Sequence, residues 1–437
     1  MVLNKGVLKG GILCLLVGVF LVYRNLNIGV EQSQVLNFGL YYLFGCLVLI
    51  FSLIKFKDAI NPISIYVMFV FLMSYSYIRL SDMQLPYSIS TVLVLNLSVF
   101  SYLTFASLDF NPKPFKFLKL NNELKRILLY LICAASFFTF LIEVVSFGYL
   151  PVLQIGASDV YIETNAKLVP FLHYFIVLLA FIPAWSYVMF KETVITKKEF
   201  ISLLIIALFI LVNYLSRQLY LLLGITFFMS YSFYNYVNTK ILVRGGLLVI
   251  ALFMFIGFLK FNTETSISFT EFSRAAAGIQ NENVSILEST FTEYSSKRFA
   301  ALDKMIKFKD DNEYLGFGIY TMRPLVSLFL LEKTGVINRL PELDSEKNVG
   351  TYAIDPYLDF GLIGVLIINC IYGFLASRYY KQYHEKHPEA IVKFSIIIFC
   401  VLMGMFINYY NTMLIWLGLF FNKIIFGGLK KSGERSQ

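Results

Sequence analysis

The chain has 437 residues, of which 58% are hydrophobic and 15% charged, with 44 Phe, 29 Tyr and a net charge of +9. A soluble domain carries about 25% charged residues, and the apolar residues here fall in blocks close to the ~20 residues that a helix needs to cross a bilayer. An ordinary soluble protein is excluded, and the pattern reads as an all-α integral membrane protein, because helices satisfy their own backbone groups in lipid.

Taken in order, the apolar blocks predict twelve spans near 10–23, 36–54, 60–78, 88–108, 127–147, 169–190, 200–214, 218–235, 245–259, 358–377, 394–407 and 412–428. The first is short and follows Lys5 and Lys9; with no small-residue cleavage pattern after it, it reads as a retained signal anchor. The last two share a charge-free stretch, 394–422, in which Asn408-Tyr409-Tyr410-Asn411 is the predicted turn.

Basic residues orient these spans, since cytoplasmic loops are enriched in Lys and Arg. With both termini inside, 22 of the 37 Lys and Arg are on the cytoplasmic side, counting Lys423 near the inner end of the last span, among them Lys113, Lys116, Lys119, Lys125, Arg126, Arg378 and Lys381. The short external loops hold only Arg24, Arg79, Lys167 and Arg217. The positive balance therefore reports membrane orientation, and no nucleic-acid partner is expected. Three regions follow: a bundle of about nine spans over 1–259, a large, partly helical external loop over 260–357, and about three spans with a cytoplasmic tail over 358–437.

The five cysteines (Cys14, Cys46, Cys133, Cys370, Cys400) all fall in predicted spans and form no C-x-x-C pair. His384 and His387 lie in a basic loop and read as a solvated charged face. Neither a metal site nor a bound cofactor is expected.

Loops as long as 260–357 are usually functional. At 100° per residue, Phe291, Tyr294, Phe299, Leu302, Met305 and Ile306 share one arc, which predicts an amphipathic helix with Arg298 in the middle of its apolar face. That arginine either snorkels at the bilayer surface or turns inward toward an anionic ligand. Arg217 is the only charge between Glu199 and Lys240, at the predicted outer turn Asn213–Gln218. It is either an interfacial anchor or, as isolated charges at membrane depth commonly are, a functional residue. Arg323 precedes Pro324 and the apolar run Leu325–Leu331. Proline suits a first helical turn, whose free N–H groups attract anions, so this is either a capped amphipathic helix or a diphosphate cradle. Arg274, in FTEFSRAAAG, carries a weaker version of the same signal, and Arg339 a weaker one still.

The stretch NVGTYAIDPYLDFGLIG, Asn348–Gly364, sets two carboxylates at the mouth of an apolar run. Asp355 followed by Pro356 predicts an N-cap and first helical residue. Asp359 then falls one turn in, where capping accounts for it less well although the helix dipole favours it. Asp359, and Asp355 after it, are the candidate catalytic carboxylates.

These residues also carry a resemblance. Asn348, Val349 and Thr351, then Asp359, Phe360 and Gly361, then Gly364 and Gly373 resemble the segment after the large periplasmic loop of Wzy-type O-antigen and capsule polymerases. NYLSRQLYLLLG, Asn213–Gly224, is similar to that family's Ser-Arg turn between two mid-chain spans. The resemblance implies a metal-independent glycosyltransferase that moves a growing glycan from undecaprenyl diphosphate onto the next lipid-linked repeat unit, with inversion and without a cofactor. It implies diphosphate binding at Arg217 and a chain-length regulator as a partner; only Arg217 and the Asp359 motif carry over by position, and Arg298, Arg323 and Arg274 are further diphosphate-binding candidates from the residues alone. The chain departs from some members, in which an arginine is followed sixteen residues later by glycine in two external loops; no arginine here has that spacing. An O-antigen ligase is the rival within the same chemistry, but a histidine would be expected in its external loop and 260–357 has none. A lipid-linked glycan flippase or transporter is the rival class; transporters show internal repeats, which are not visible here, and Glu143 is the main charge inside a predicted span.

Overall fold

A computed structural model describes residues 32–83, 87–110, 120–154, 164, 167–169, 171–214, 216–235, 245, 251, 268, 270–271, 274, 286, 289, 292, 296–329 and 350–427. The predicted span 10–23 and nearly all of 245–259 lie outside them. Among the described residues every regular element is helical. In chain order these are α1 (Gln32–Phe56), α2 (Pro62–Met83), α3 (Ile89–Ser107), α4 (Asn122–Phe147), α5 (His173–Leu178), α6 (Ile182–Lys191), α7 (Lys197–Val212), α8 (Arg217–Tyr234), α9 (Ser296–Asp311), α10 (Arg323–Leu328), α11 (Ile354–His384), α12 (Pro388–Met403) and α13 (Met413–Phe426). Short 3-10 turns add Pro151–Gln154 and Tyr409–Asn411.

Among the described residues four helices are long and apolar enough to cross a membrane: α1 with 25 residues, α3 with 19, α4 with 26 and α11 with 31. At 1.5 Å per residue each reaches roughly the 30 Å hydrocarbon thickness. Their polarity is arranged for lipid. On α1, Leu36, Leu40, Leu43, Leu47 and Phe51 form an exposed apolar stripe while Ser52 is buried. On α4, Leu131, Phe138, Ile142 and Val145 face outward, whereas Ser136, Thr139 and Glu143 face inward. Large contiguous exposed apolar surface marks a face that meets something other than water. The chain is an α-helical membrane protein.

The chain forms two compact units. The first comprises residues 1–111, 270–378 and 400–412. There α2 packs against α1 and α9, and α9 also meets α3. Its core is aromatic: Tyr66 stacks on Tyr102 with ring centroids 4.0 Å apart, and Tyr352 meets Tyr66 edge-on. Asp303, buried on α9, accepts hydrogen bonds from the Ser88 amide and the Thr91 hydroxyl at the start of α3, each at 2.7 Å, and pairs with Lys307.

The second unit comprises residues 112–269, 379–399 and 413–437. The predicted span 169–190 is here two helices, α5 and α6, joined by i→i+3 bonds from the amides of Leu179, Ala180, Phe181 and Ile182. The cause is local: Pro183 has no N–H to give to the turn before it and begins a new helix instead. At α7, Thr196 and Glu199 form a reciprocal capping box, which ends the preceding turn and starts the helix.

Candidate active site

The candidate site in the first unit is built by a break in α11. Gly361 sits at φ 62°, ψ −150°, a conformation outside the helical region and strained for any residue with a Cβ. The first two turns of α11, Ile354–Phe360, therefore follow a different axis from the apolar segment after them. Asp355 and Asp359 are on this short leading piece. Tyr357, between them, donates from its hydroxyl to Asp310 of α9 at 2.7 Å, which ties the leading piece to the end of α9.

Asp359 is fully buried, and its carboxylate binds backbone. One oxygen accepts the Tyr320 amide at 3.1 Å and the other accepts the Thr321 amide at 2.6 Å. The backbone continues the contact, with Gly316 and Phe317 amides donating to the carbonyls of Leu358 and Asp359 at 2.9 and 3.2 Å. A Cβ on Gly316 would lie 2.5 Å from the Asp359 carboxylate oxygen, so only glycine lets the loop approach this closely. The clamped loop runs directly into Arg323, the first residue of α10, whose side chain is exposed. Asp359 thus sets the position of Arg323.

Asp355 has different surroundings. The sequence places it at the N-cap, but α11 begins at Ile354, so Asp355 lies within the first turn. Its carboxylate accepts from the Asn411 side-chain amide at 3.0 Å, and Asn408 also bonds to it. Arg323 and Asp359 both act on it electrostatically. The Asn411 amide nitrogen also reaches the Tyr320 carbonyl at 3.2 Å. Three segments far apart in sequence, 316–323, 354–359 and 408–411, converge around one half-buried carboxylate within electrostatic reach of an exposed arginine. Asn408 and Asn411 are read in the sequence only as a turn between two spans. Two asparagines in an otherwise apolar, charge-free stretch were the available signal.

The remaining candidates separate. The predicted amphipathic helix appears as α9, with Phe299, Leu302 and Ile306 buried. Arg298 lies at the edge of that buried face, half-buried, and its Nε has no hydrogen-bond partner. Phe291, Tyr294, Arg339, Asn348 and Val349 lie outside the described residues. Arg274 is half-buried and helical.

Arg217 belongs to the second unit, as the first residue of α8. The N-cap Ser216 makes no side-chain cap bond, and its carbonyl accepts the Leu219 and Tyr220 amides at 3.1 and 3.3 Å. The turn before it is anchored by Glu143, which is fully buried in α4. Glu143 accepts from the Tyr214 hydroxyl at 2.5 Å, from the Val169 amide at 3.1 Å and from His173 at 3.2 Å. Three donors offset the cost of holding a carboxylate within an apolar helix.

Among the described residues no group of three or more His, Cys, Asp or Glu is arranged to hold a metal ion. His384 packs against Tyr380, with ring centroids 4.4 Å apart, and His387 lies 3.5 Å from Glu385. No family model, curated protein or solved structure matches the chain.

Proposed function

We propose that the chain polymerises lipid-linked oligosaccharide repeat units, transferring a growing glycan from undecaprenyl diphosphate onto the next unit with inversion, for an O-antigen or capsular polysaccharide. In this reading it crosses the bacterial cytoplasmic membrane about twelve times, with both termini inside and 260–357 outside. The observation that carries it is that Asp355, near the break in α11, lies within electrostatic reach of Arg323, on the motif that gives the sequence its resemblance to Wzy-type polymerases.

The chemistry follows from those groups. The acceptor sugar hydroxyl attacks the anomeric carbon of the donor glycan while the bond from that carbon to the diphosphate oxygen breaks. The hydroxyl proton passes to a carboxylate, and the electron pair of the broken bond leaves on the diphosphate. Asp355 serves as the base, because its carboxylate is half-buried and held by side chains alone. Asp359, the candidate favoured by the sequence motif, holds the loop that presents Arg323. Arg323 stabilises the negative charge that develops on the leaving group. Arg217 binds diphosphate oxygens at the start of α8; Arg298 and Arg274 are further cationic candidates.

The test is complementation of a strain lacking this chain. Asp355→Asn, present at normal membrane levels, is expected to leave single repeat units on the lipid, where the wild-type chain yields a ladder. A full ladder from Asp355→Asn overturns the assignment of the base. Lipid-linked single units failing to accumulate in the strain lacking the chain overturns the polymerase reading itself.

A further inference from the structure

The Asn408–Asn411 turn holds more polar capacity than the fold uses. Asn411 and Asn408 are only 5% and 3% exposed, so neither is a solvated loop residue. They are joined by a phenol: Tyr372 donates to the Asn411 carbonyl oxygen at 3.3 Å and accepts from the Asn408 amide nitrogen at 3.4 Å. Tyr372 in turn stacks on Tyr410 with centroids 3.8 Å apart, which fixes the phenol and hence both amides. One end of this chain of hydrogen bonds is the Asp355 carboxylate. The other end is the Asn408 side-chain carbonyl oxygen, which is buried and accepts no hydrogen bond. A buried acceptor without a donor is costly, and native structures keep few of them without a reason.

From this we infer that the turn is the acceptor-facing wall of the carboxylate site. Asn411 is a positioning residue that fixes the Asp355 carboxylate and favours its proton-accepting form, and the bare Asn408 oxygen receives a hydroxyl or amide N–H of the acceptor sugar. The inference rests on the proposed polymerase reading and adds to it a specificity-determining contact. Burial opposes the charge on Asp355, and Asp359 on the same helix opposes it further, whereas the amide N–H donated by Asn411 favours the ionised state. Arg323, on the loop side, acts in the same direction as Asn411, and the Tyr372 hydroxyl is the remaining titratable group nearby. In the transfer step the acceptor hydroxyl gives its proton to Asp355 as its oxygen bonds to the anomeric carbon and the diphosphate departs. A second polar group on the same ring then meets Asn408, which supplies the donor that the buried oxygen lacks.

Purified protein in proteoliposomes, with lipid-linked repeat units extracted from cells lacking the chain, separates the two roles. For Asn411→Ala the acid limb of the rate profile is expected to move to higher pH by about one unit, the loss of one hydrogen bond to a charged group. Asn411→Ser, which retains a donor, is expected to move it less. For Asn408→Ala, measured on the pH plateau above the acid limb because Asn408 also bonds to Asp355, the KM for the lipid-linked unit is expected to rise at least about tenfold with kcat nearly kept, because the contact to the sugar is made equally in the ground and transition states. A wild-type pH profile in Asn411→Ala, or an unchanged KM in Asn408→Ala, overturns the inference. Asp355→Asn is run alongside. If it turns over, the base assignment fails; if it is inactive while both asparagine variants behave as wild type, only the inference fails. Membrane levels of each variant are measured by immunoblot, and Asn411→Ser serves as the folded comparison should Asn411→Ala be poorly produced.

Discussion

Asp359→Asn tests whether this residue is chiefly a clamp on the loop before Arg323. The carboxylate receives two backbone N–H groups, at 3.1 and 2.6 Å, and is fully buried. Hydrogen bonds to a charged group contribute about 1.5–3 kcal/mol each. An asparagine side chain keeps one acceptor oxygen and turns its own N–H2 toward the second amide, so one bond is lost and one buried amide is left facing a donor. The local cost is about 2–3 kcal/mol, which corresponds to roughly 30- to 150-fold faster opening of the loop. Hydrogen exchange followed by mass spectrometry on peptides covering 317–329 reads this directly, and the Tyr320 and Thr321 amides should lose protection by that factor. Gly316→Ala reaches the same contact from the loop side, since its Cβ would lie 2.5 Å from the Asp359 oxygen, and should deprotect the same peptides. Polymer length should shorten in both variants as Arg323 loses its fixed position. Unchanged exchange in Asp359→Asn would refute the clamp, and a loss of polymer without any change in exchange would return Asp359 to direct participation in the chemistry.

Other outcomes can be checked in parallel. Arg217→Lys keeps the charge but loses the planar fork that contacts two phosphate oxygens. It should lose most polymerisation while the protein still inserts, and normal ladders from both Arg217→Lys and Arg217→Ala would rule out a diphosphate role. A double-mutant cycle of Glu143→Gln and Tyr214→Phe in detergent should show a coupling of about 1–3 kcal/mol, from the 2.5 Å bond they share; strict additivity would break the proposed anchor of the Arg217 turn. Asp303 gives a pH test. Burial opposes its charge, but the bonds from Lys307, Thr91 and Ser88 outweigh that and hold its carboxyl below the usual range. Its folded-state pKa is thus lower than its unfolded one, so its contribution is fully present above about pH 4 and lost as pH falls through the folded value. Acid unfolding curves of the wild-type chain and Asp303→Asn should therefore converge below about pH 4 and separate above it.

The sequence by itself determined the solvent of this protein and most of its helices. Runs of apolar residues are a local property, and their length against the bilayer thickness predicts spans such as 36–54 and 127–147 that lie inside α1 and α4. The periodicity of 291–306 likewise anticipates the buried face of α9, because 3.6 residues per turn operates within one segment. Capping logic reached Asp355 and Asp359 but ranked them by their fit to their own helix, and there it stopped. What Asp359 binds is the backbone of Tyr320 and Thr321, about forty residues away, and what holds Asp355 is Asn411, 56 residues downstream. Neither partner has a spacing rule, since each depends on the turn at Gly361 and on which loops the packed helices bring to that end. The break of 169–190 into two helices was written in Pro183, yet hydropathy alone runs through a proline without a mark. Tertiary structure decided the partners because a buried carboxylate must find donors wherever the fold supplies them, and the fold supplied a backbone loop to one aspartate and an asparagine turn to the other.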